Sequence, residues 1–161
     1  MFTDTAQTHL RRCVALAATA LDKGNSPYGS VLVSDTGQVL FEDHNRDGDG
    51  DNTRHPEFEI ARWAAANLSE KQRATAVVYT STEHCPMCAA AHAWVGLGRI
   101  IYISSGAEVG QWYRQWGAEP TPVAKLPITQ VAPGLSVEGP VPELTDKLKE
   151  IHRRYFQRAV S

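Results

Sequence analysis

Cysteine is scarce in this sequence: there are three, an odd number with no framework spacing, which excludes a small domain stapled by disulfides. Thiols kept for a metal or for chemistry, in a reducing compartment, are the expectation, so a cytoplasmic setting is expected too. No apolar stretch approaches the roughly 20 residues that a membrane-spanning helix needs, and no membrane role is expected. Neither sign of charge is in marked excess, because 16 Lys and Arg stand against 18 Asp and Glu. Such a balance gives no support to a dedicated nucleic-acid binder. Repeats and low-complexity runs are missing as well, and with 42% apolar residues a chain of this length buries a core unaided. Residues 1–161 read as one domain.

What is present is a clear alternation of periods. His9, Leu10, Cys13, Val14, Ala17 and Leu21 recur at helical spacing, so "RRCVALAATALD" reads as part of an amphipathic first helix and not as a secretory leader. Cys13 lies on its apolar face. "GNSPYGSVLVSDTGQVLFED" predicts a hairpin turning at Asp35-Thr36-Gly37. The polar loop "HNRDGDGDNTR" follows, then a second helix from Pro56 with Ile60, Trp63, Ala64 and Leu68 on one face. "AVVYT" predicts a third strand, Pro86 to Leu97 a third helix ended by Gly98, and "RIIYIS" a fourth strand parallel to the third across that crossover. A short helix is expected within Glu108–Gly117, a fifth strand near Ile128 to Val131, and a closing helix over about 141–158 with Leu144, Leu148, Ile151 and Tyr155 on one face. The fold class is α/β: a three-layer α/β/α sandwich around a mixed sheet of about five strands.

Cys85 and Cys88 sit three apart in "TSTEHCPMCAAAHAW", and two thiols do not complete a metal site. A catalytic zinc commonly takes three protein ligands and leaves one position for water, so one further ligand is sought. His55 in "HPEFE" is the best placed, because in "HPE" as in "CPMC" a proline directly follows the ligand, as it does in the first turn of a helix. At a helix start a His-x-Glu pair can converge on one point, which mid-helix positions two apart cannot do. Two helix N-termini would add positive partial charge that favours thiolates. His92, four residues after Cys88, lies about one turn, roughly 5–6 Å, further along the helix and reads as a core or outer-layer histidine. A redox Cys-x-x-Cys or a structural zinc is the bland alternative, but the thioredoxin-like context and a fourth compact ligand are both missing. "DGDGDN" imitates the start of a calcium loop and then fails, with Asn52 in place of the needed glycine and Phe58 where a glutamate belongs. Trp112, Tyr113 and Trp116 read as core or interface.

His55-Pro56-Glu57 followed by Cys85-Pro86-Met87-Cys88 resembles the zinc signature of the cytidine deaminase superfamily. The resemblance runs from "NSPYGSVLV" through "HNR" to the end of "GRIIYIS" and is closest to the guanine deaminase and tRNA adenosine deaminase branch. One departure stands out: His84 occupies a position where the pattern usually has proline. The resemblance implies one catalytic zinc on His55, Cys85 and Cys88, and Glu57 as the group that takes a proton from water and passes it to the ring nitrogen and then to departing ammonia. It also implies Asn45 as a substrate contact, with Asn25 and Asn52 as weaker candidates, His84 in the pocket wall, and Tyr155 and Phe156 as parts of a covering C-terminal segment, often in a homodimer. Asp43, Asp47, Asp49 and Asp51 against Arg46 and Arg54 make the loop before His55 unfavourable for a polyanion. The basic residues Lys147, Lys149, Arg153, Arg154 and Arg158 fall on the last helix. A small free nucleobase or related amino-heterocycle is therefore the expected partner, with tRNA adenosine deamination and a noncatalytic zinc-stabilised binding module as alternatives.

Overall fold

The structure, a computed structural model, describes residues 3–160. Helix α1 (Asp4–Asp22) starts where the Thr3 hydroxyl accepts a hydrogen bond from the Ala6 amide, and it buries Leu10, Cys13, Val14, Ala17 and Leu21. Strands β1 (Gly29–Val33) and β2 (Val39–His44) form the expected hairpin. Gly29 is required there: a Cβ on it would lie 2.4 Å from that of Leu16, so α1 rests directly on the strand backbone.

The chain continues through α2 (Pro56–Asn67), α3 (Glu70–Thr75), β3 (Val77–Thr82), α4 (Pro86–Trp94) and β4 (Arg99–Ser104). It ends with α5 (Gly106–Gln115), α6 (Ile128–Val131), β5 (Val137–Glu138) and α7 (Pro142–Ala159). The sheet order is β2-β1-β3-β4-β5, with β1 antiparallel to both neighbours and β3, β4 and β5 mutually parallel. The sheet is thus mixed and five-stranded, as the sequence leads one to expect.

Strand pleating sorts the side chains into two layers. Val31, Val33, Tyr79, Ile101 and Ile103 pack against α1 and α7. Leu32 and Val78, one residue out of step with these, meet Ile60, Ala61 and Ala64 of α2, and Ile100 meets Ala89 and Ile128. Each large aliphatic side chain so buried contributes about 1.5–3 kcal/mol. Trp63 stacks on Phe41 at the edge of this layer.

Two expectations are corrected, and one helix, α3, was not expected. Ile128 to Val131 is the short helix α6, and the fifth strand lies at Val137–Glu138. Pro127 is the N-cap of that turn, and its ring favours helix initiation over strand pairing. Helix α4 ends at Trp94 because Gly96 adopts φ 71°, a left-handed stop, whereas Gly98 is needed for close approach, a Cβ there falling 2.5 Å from the Ala76 carbonyl. Helix α3 buries no residue, so it carries no apolar stripe to read. Among the described residues no helix is long and apolar enough to cross a membrane.

Two histidines are sealed in this core. Burial lowers His92 to about 4, and burial followed by the positive charge of Lys125 lowers His152 to about 3. Below an ordinary histidine pKa near 6.5 the unfolded chain binds protons that the fold refuses, so stability is full above about pH 6.5 and falls as pH descends toward 4. Each histidine contributes a loss of about 1.4 kcal/mol per pH unit in that window. Urea unfolding of the zinc-free protein between pH 7.5 and 4.5 should show a fall of this sign, made shallower by His152→Gln; a flat profile would contradict it.

Candidate active site

Three side chains meet between α2 and α4. His55 Nδ1 lies 3.5 Å from Cys85 Sγ and 3.5 Å from Cys88 Sγ, and the two sulfurs are 3.6 Å apart. Zinc–sulfur bonds of about 2.3 Å and zinc–nitrogen bonds of about 2.0–2.1 Å in a tetrahedron set such donors about 3.6–3.8 Å apart. The observed triangle has the right size, and its donor chemistry, two thiolates and an imidazole, is that of a zinc site. These three form the metal-holding group found among the described residues.

The local sequence explains the convergence. His55 and Cys85 are the N-caps of α2 and α4, both with extended backbone and both followed by proline. Neither side chain bonds its own helix amides, which frees both for a metal and leaves the positive helix ends facing it. The hydrogen bond from Cys88 lowers the Cys85 thiol to about 4, with His55 adding to the effect against the opposition of burial. Burial works against charge on His55 as well, yet its contact with Cys85 and the negative charge of Glu57 hold its pKa above the usual value.

Glu57, two residues beyond His55, is only 6% exposed. Its Oε1 accepts hydrogen bonds at 2.8 Å from the hydroxyls of Ser30 and Thr80. Burial is the strongest influence on this carboxyl and raises its pKa, while His55 and the two hydroxyls oppose the rise. Asn45 is 1% exposed, its backbone amide donates to the Tyr28 carbonyl, and both polar atoms of its side-chain amide are buried without a partner. An unpartnered buried amide costs about 1–3 kcal/mol, and both edges of this one are left available. The weaker candidates separate cleanly: Asn25 accepts from the Gly48 amide as a loop brace, and Asn52 is exposed.

His84 is 2% exposed with neither ring nitrogen partnered, and its ring meets His92 edge to face. Burial pushes its pKa well below the usual histidine range. His92 bonds the Gly98 carbonyl and belongs to the core. A cavity of about 400 Å³ is lined by Ser26, Tyr28, Tyr113, Lys125 and Tyr155 among others. Tyr28 links the cavity to Asn45, whose backbone amide donates to the Tyr28 carbonyl. Tyr155 reaches the cavity from α7 and approaches the Ser26 hydroxyl at 3.1 Å, whereas Phe156 packs against Tyr113 and Trp116. Trp112 is buried beside His152.

The polar loop is braced internally. Asp43 pairs with Arg46, Asp49 with Arg54, Asp47 accepts from Ser26 and Asp51 from Thr53. On α7, Arg153 pairs with Glu150, and Arg158 donates to the Leu21 carbonyl at the end of α1. Sequence reasoning passed over Ser30 and Thr80. The signal was a hydroxyl on the face that also carries Leu32 and Val78: Ser30 as the one hydroxyl residue of β1, and Thr80 at the start of the Thr80-Ser81-Thr82 run of β3.

A three-layer sandwich with a zinc-type donor triangle and a buried carboxylate at the starts of two helices defines a zinc-dependent deaminase architecture. The family described as the cytidine and deoxycytidylate deaminase zinc-binding region matches residues 3–104. The chain belongs to this family, within the cytidine deaminase superfamily, and zinc is its cofactor. Residues 105–160, which include α5 and α7, lie outside the match. The chain is 33% identical over 94 residues to a probable cytosine deaminase of Schizosaccharomyces pombe, covering 58% of this chain and 57% of that protein. It is 30% identical over 106 residues to a guanine deaminase of Bacillus subtilis, covering 65% and 68%. In fold it is similar to a tRNA:A34 deaminase that acts in A-to-I editing, with a TM-score of 0.63 at 23% identity over 90% of this chain and 99% of that one.

Proposed function

We propose that this protein is a hydrolytic deaminase of a small amino-substituted heterocycle, a guanine- or cytosine-like free base, with residues 1–161 acting as one unit. The observation that carries this reading is the buried Glu57 carboxylate two residues from His55 of the donor triangle, and the buried Asn45 amide without a protein partner supports it. An amide offers one donor edge and one acceptor edge, which suits the edge of a neutral ring.

His55, Cys85 and Cys88 would hold the zinc, whose Lewis acidity would make water a nucleophile near neutral pH. Glu57 does the proton work: it takes one proton from water and gives it to the ring nitrogen beside the reacting carbon, then takes the remaining hydroxyl proton of the adduct and gives it to the leaving amine. A carbon–oxygen bond forms, the exocyclic carbon–nitrogen bond breaks, and water plus amine become carbonyl plus ammonia. Tyr155 of α7 forms part of the cavity wall, and its hydrogen bond from the Ser26 hydroxyl joins that wall to the loop before β1.

A polyanionic substrate is disfavoured because Arg46 and Arg54 are each committed to an aspartate. The test is ammonia release by zinc-loaded protein from guanine, cytosine, adenine, their nucleosides and tRNA. Turnover of a free base is expected. Activity confined to tRNA would overturn the small-molecule assignment, and silence on every compound would leave a zinc-stabilised binding module.

A further inference from the structure

We infer that Ser30 and Thr80 are positioning residues that lock the Glu57 carboxylate in one rotation, so that Oε1 is clamped and Oε2 alone handles protons. This rests on the deaminase reading for its kinetic consequence and on geometry alone for the clamp.

The two hydroxyls and Oε1 form a closed triangle: Ser30 Oγ to Oε1, Thr80 Oγ1 to Oε1, and Ser30 Oγ to Thr80 Oγ1 are each 2.8 Å. All three residues are buried, Ser30 and Thr80 completely. Their meeting is set by the sheet, because Ser30 and Thr80 are direct partners in the antiparallel β1–β3 register and therefore project from the same face. That face is the one covered by α2, whose first turn carries Glu57.

Strand side chains at such positions are normally aliphatic, as Leu32 and Val78 are. Two hydroxyls buried there are expensive unless both are satisfied, and Glu57 is the group that satisfies them. Neither bond reaches Oε2. A carboxylate free to rotate would offer either oxygen to water; one held at Oε1 by two donors presents the other at a fixed place, which is the alignment that proton transfer needs. Thr80 also lies 3.0 Å from the Thr82 carbonyl. That carbonyl competes with Oε1 for the single hydroxyl hydrogen of Thr80, and the negative charge of the carboxylate favours Oε1.

The experiment compares Ser30→Ala, Thr80→Val, the double variant, and Thr80→Ser, which keeps the hydroxyl and removes a methyl. Each single deletion is expected to lower kcat about tenfold and the double about a hundredfold, as loss of hydrogen bonds to a charged group does. KM and zinc content should stay within about twofold, and Thr80→Ser should recover most of the kcat lost in Thr80→Val. Crystal structures supply a second readout: the Glu57 carboxylate should rotate or split in the double variant. The single variants carry the same comparison if the double does not fold. An unmoved carboxylate, a rise in KM with kcat intact, or a Thr80→Ser as slow as Thr80→Val would each overturn the clamp. Because the crystallographic readout needs no turnover, a wild type inactive on every compound would sink the deaminase reading and leave this one standing on its own test.

Discussion

Replacing Glu57 by glutamine is expected to lower ammonia release about a hundredfold to ten-thousandfold while leaving one zinc bound and the fold intact. Both halves of that expectation come from the same surroundings. Glutamine keeps an oxygen that can accept from Ser30 and Thr80, so the hydroxyls remain satisfied. It also removes a charge that burial opposes, so the variant should unfold no more readily than the wild type. What it loses is the ability to pick up and release a proton. Turnover, zinc content and urea unfolding measured on the same preparation separate these effects. Near-native turnover would mean that another group moves the proton.

Removing the metal should be as severe. Chelation is expected to abolish activity and one equivalent of zinc to restore it, while Cys88→Ala should fail to hold the ion. Cys13→Ala provides the contrast, because Cys13 is buried in the α1 layer, away from the triangle, and should keep a full equivalent. A ligand present at a hundred times its dissociation constant stabilises the folded state by about 2.7 kcal/mol. In a chain of this size that raises the melting temperature by roughly 5–10 °C. Zinc should produce such a rise in wild type and in Cys13→Ala but not in Cys88→Ala. Equal shifts in all three would place the ion elsewhere.

The metal group and its carboxylate were legible in the sequence because their geometry is local. A proline after His55 and another after Cys85 announce two helix starts, and spacing within one turn then fixes what Glu57 and Cys88 can reach. The hairpin and the parallel β3–β4 pair were legible for a similar reason, since turn chemistry and apolar runs state them directly. The fifth strand was not. It is two residues long, too short to establish a period of two, and it is defined by its place beside β4 more than by its own residues. Ser30 and Thr80 were hidden more deeply, because 50 positions separate them and only sheet pairing brings them together. Phe156 and Trp116 illustrate the converse: their aromatic character was plain, but whether they line a cavity or pack on each other is decided by how α7 crosses α5.

The pairing of Ser30 with Thr80 has a bearing on folding errors. If β1 were threaded against β3 one residue out of step, Val31 would replace Ser30 on the face beneath α2, as any such slip exchanges the two sides of a strand. Glu57 would then be buried against a valine with one of its two donors gone, while a serine intruded among the aliphatic residues under α1. The misthreaded chain would be both inert and unstable, so the alignment that prepares the carboxylate also proofreads the sheet.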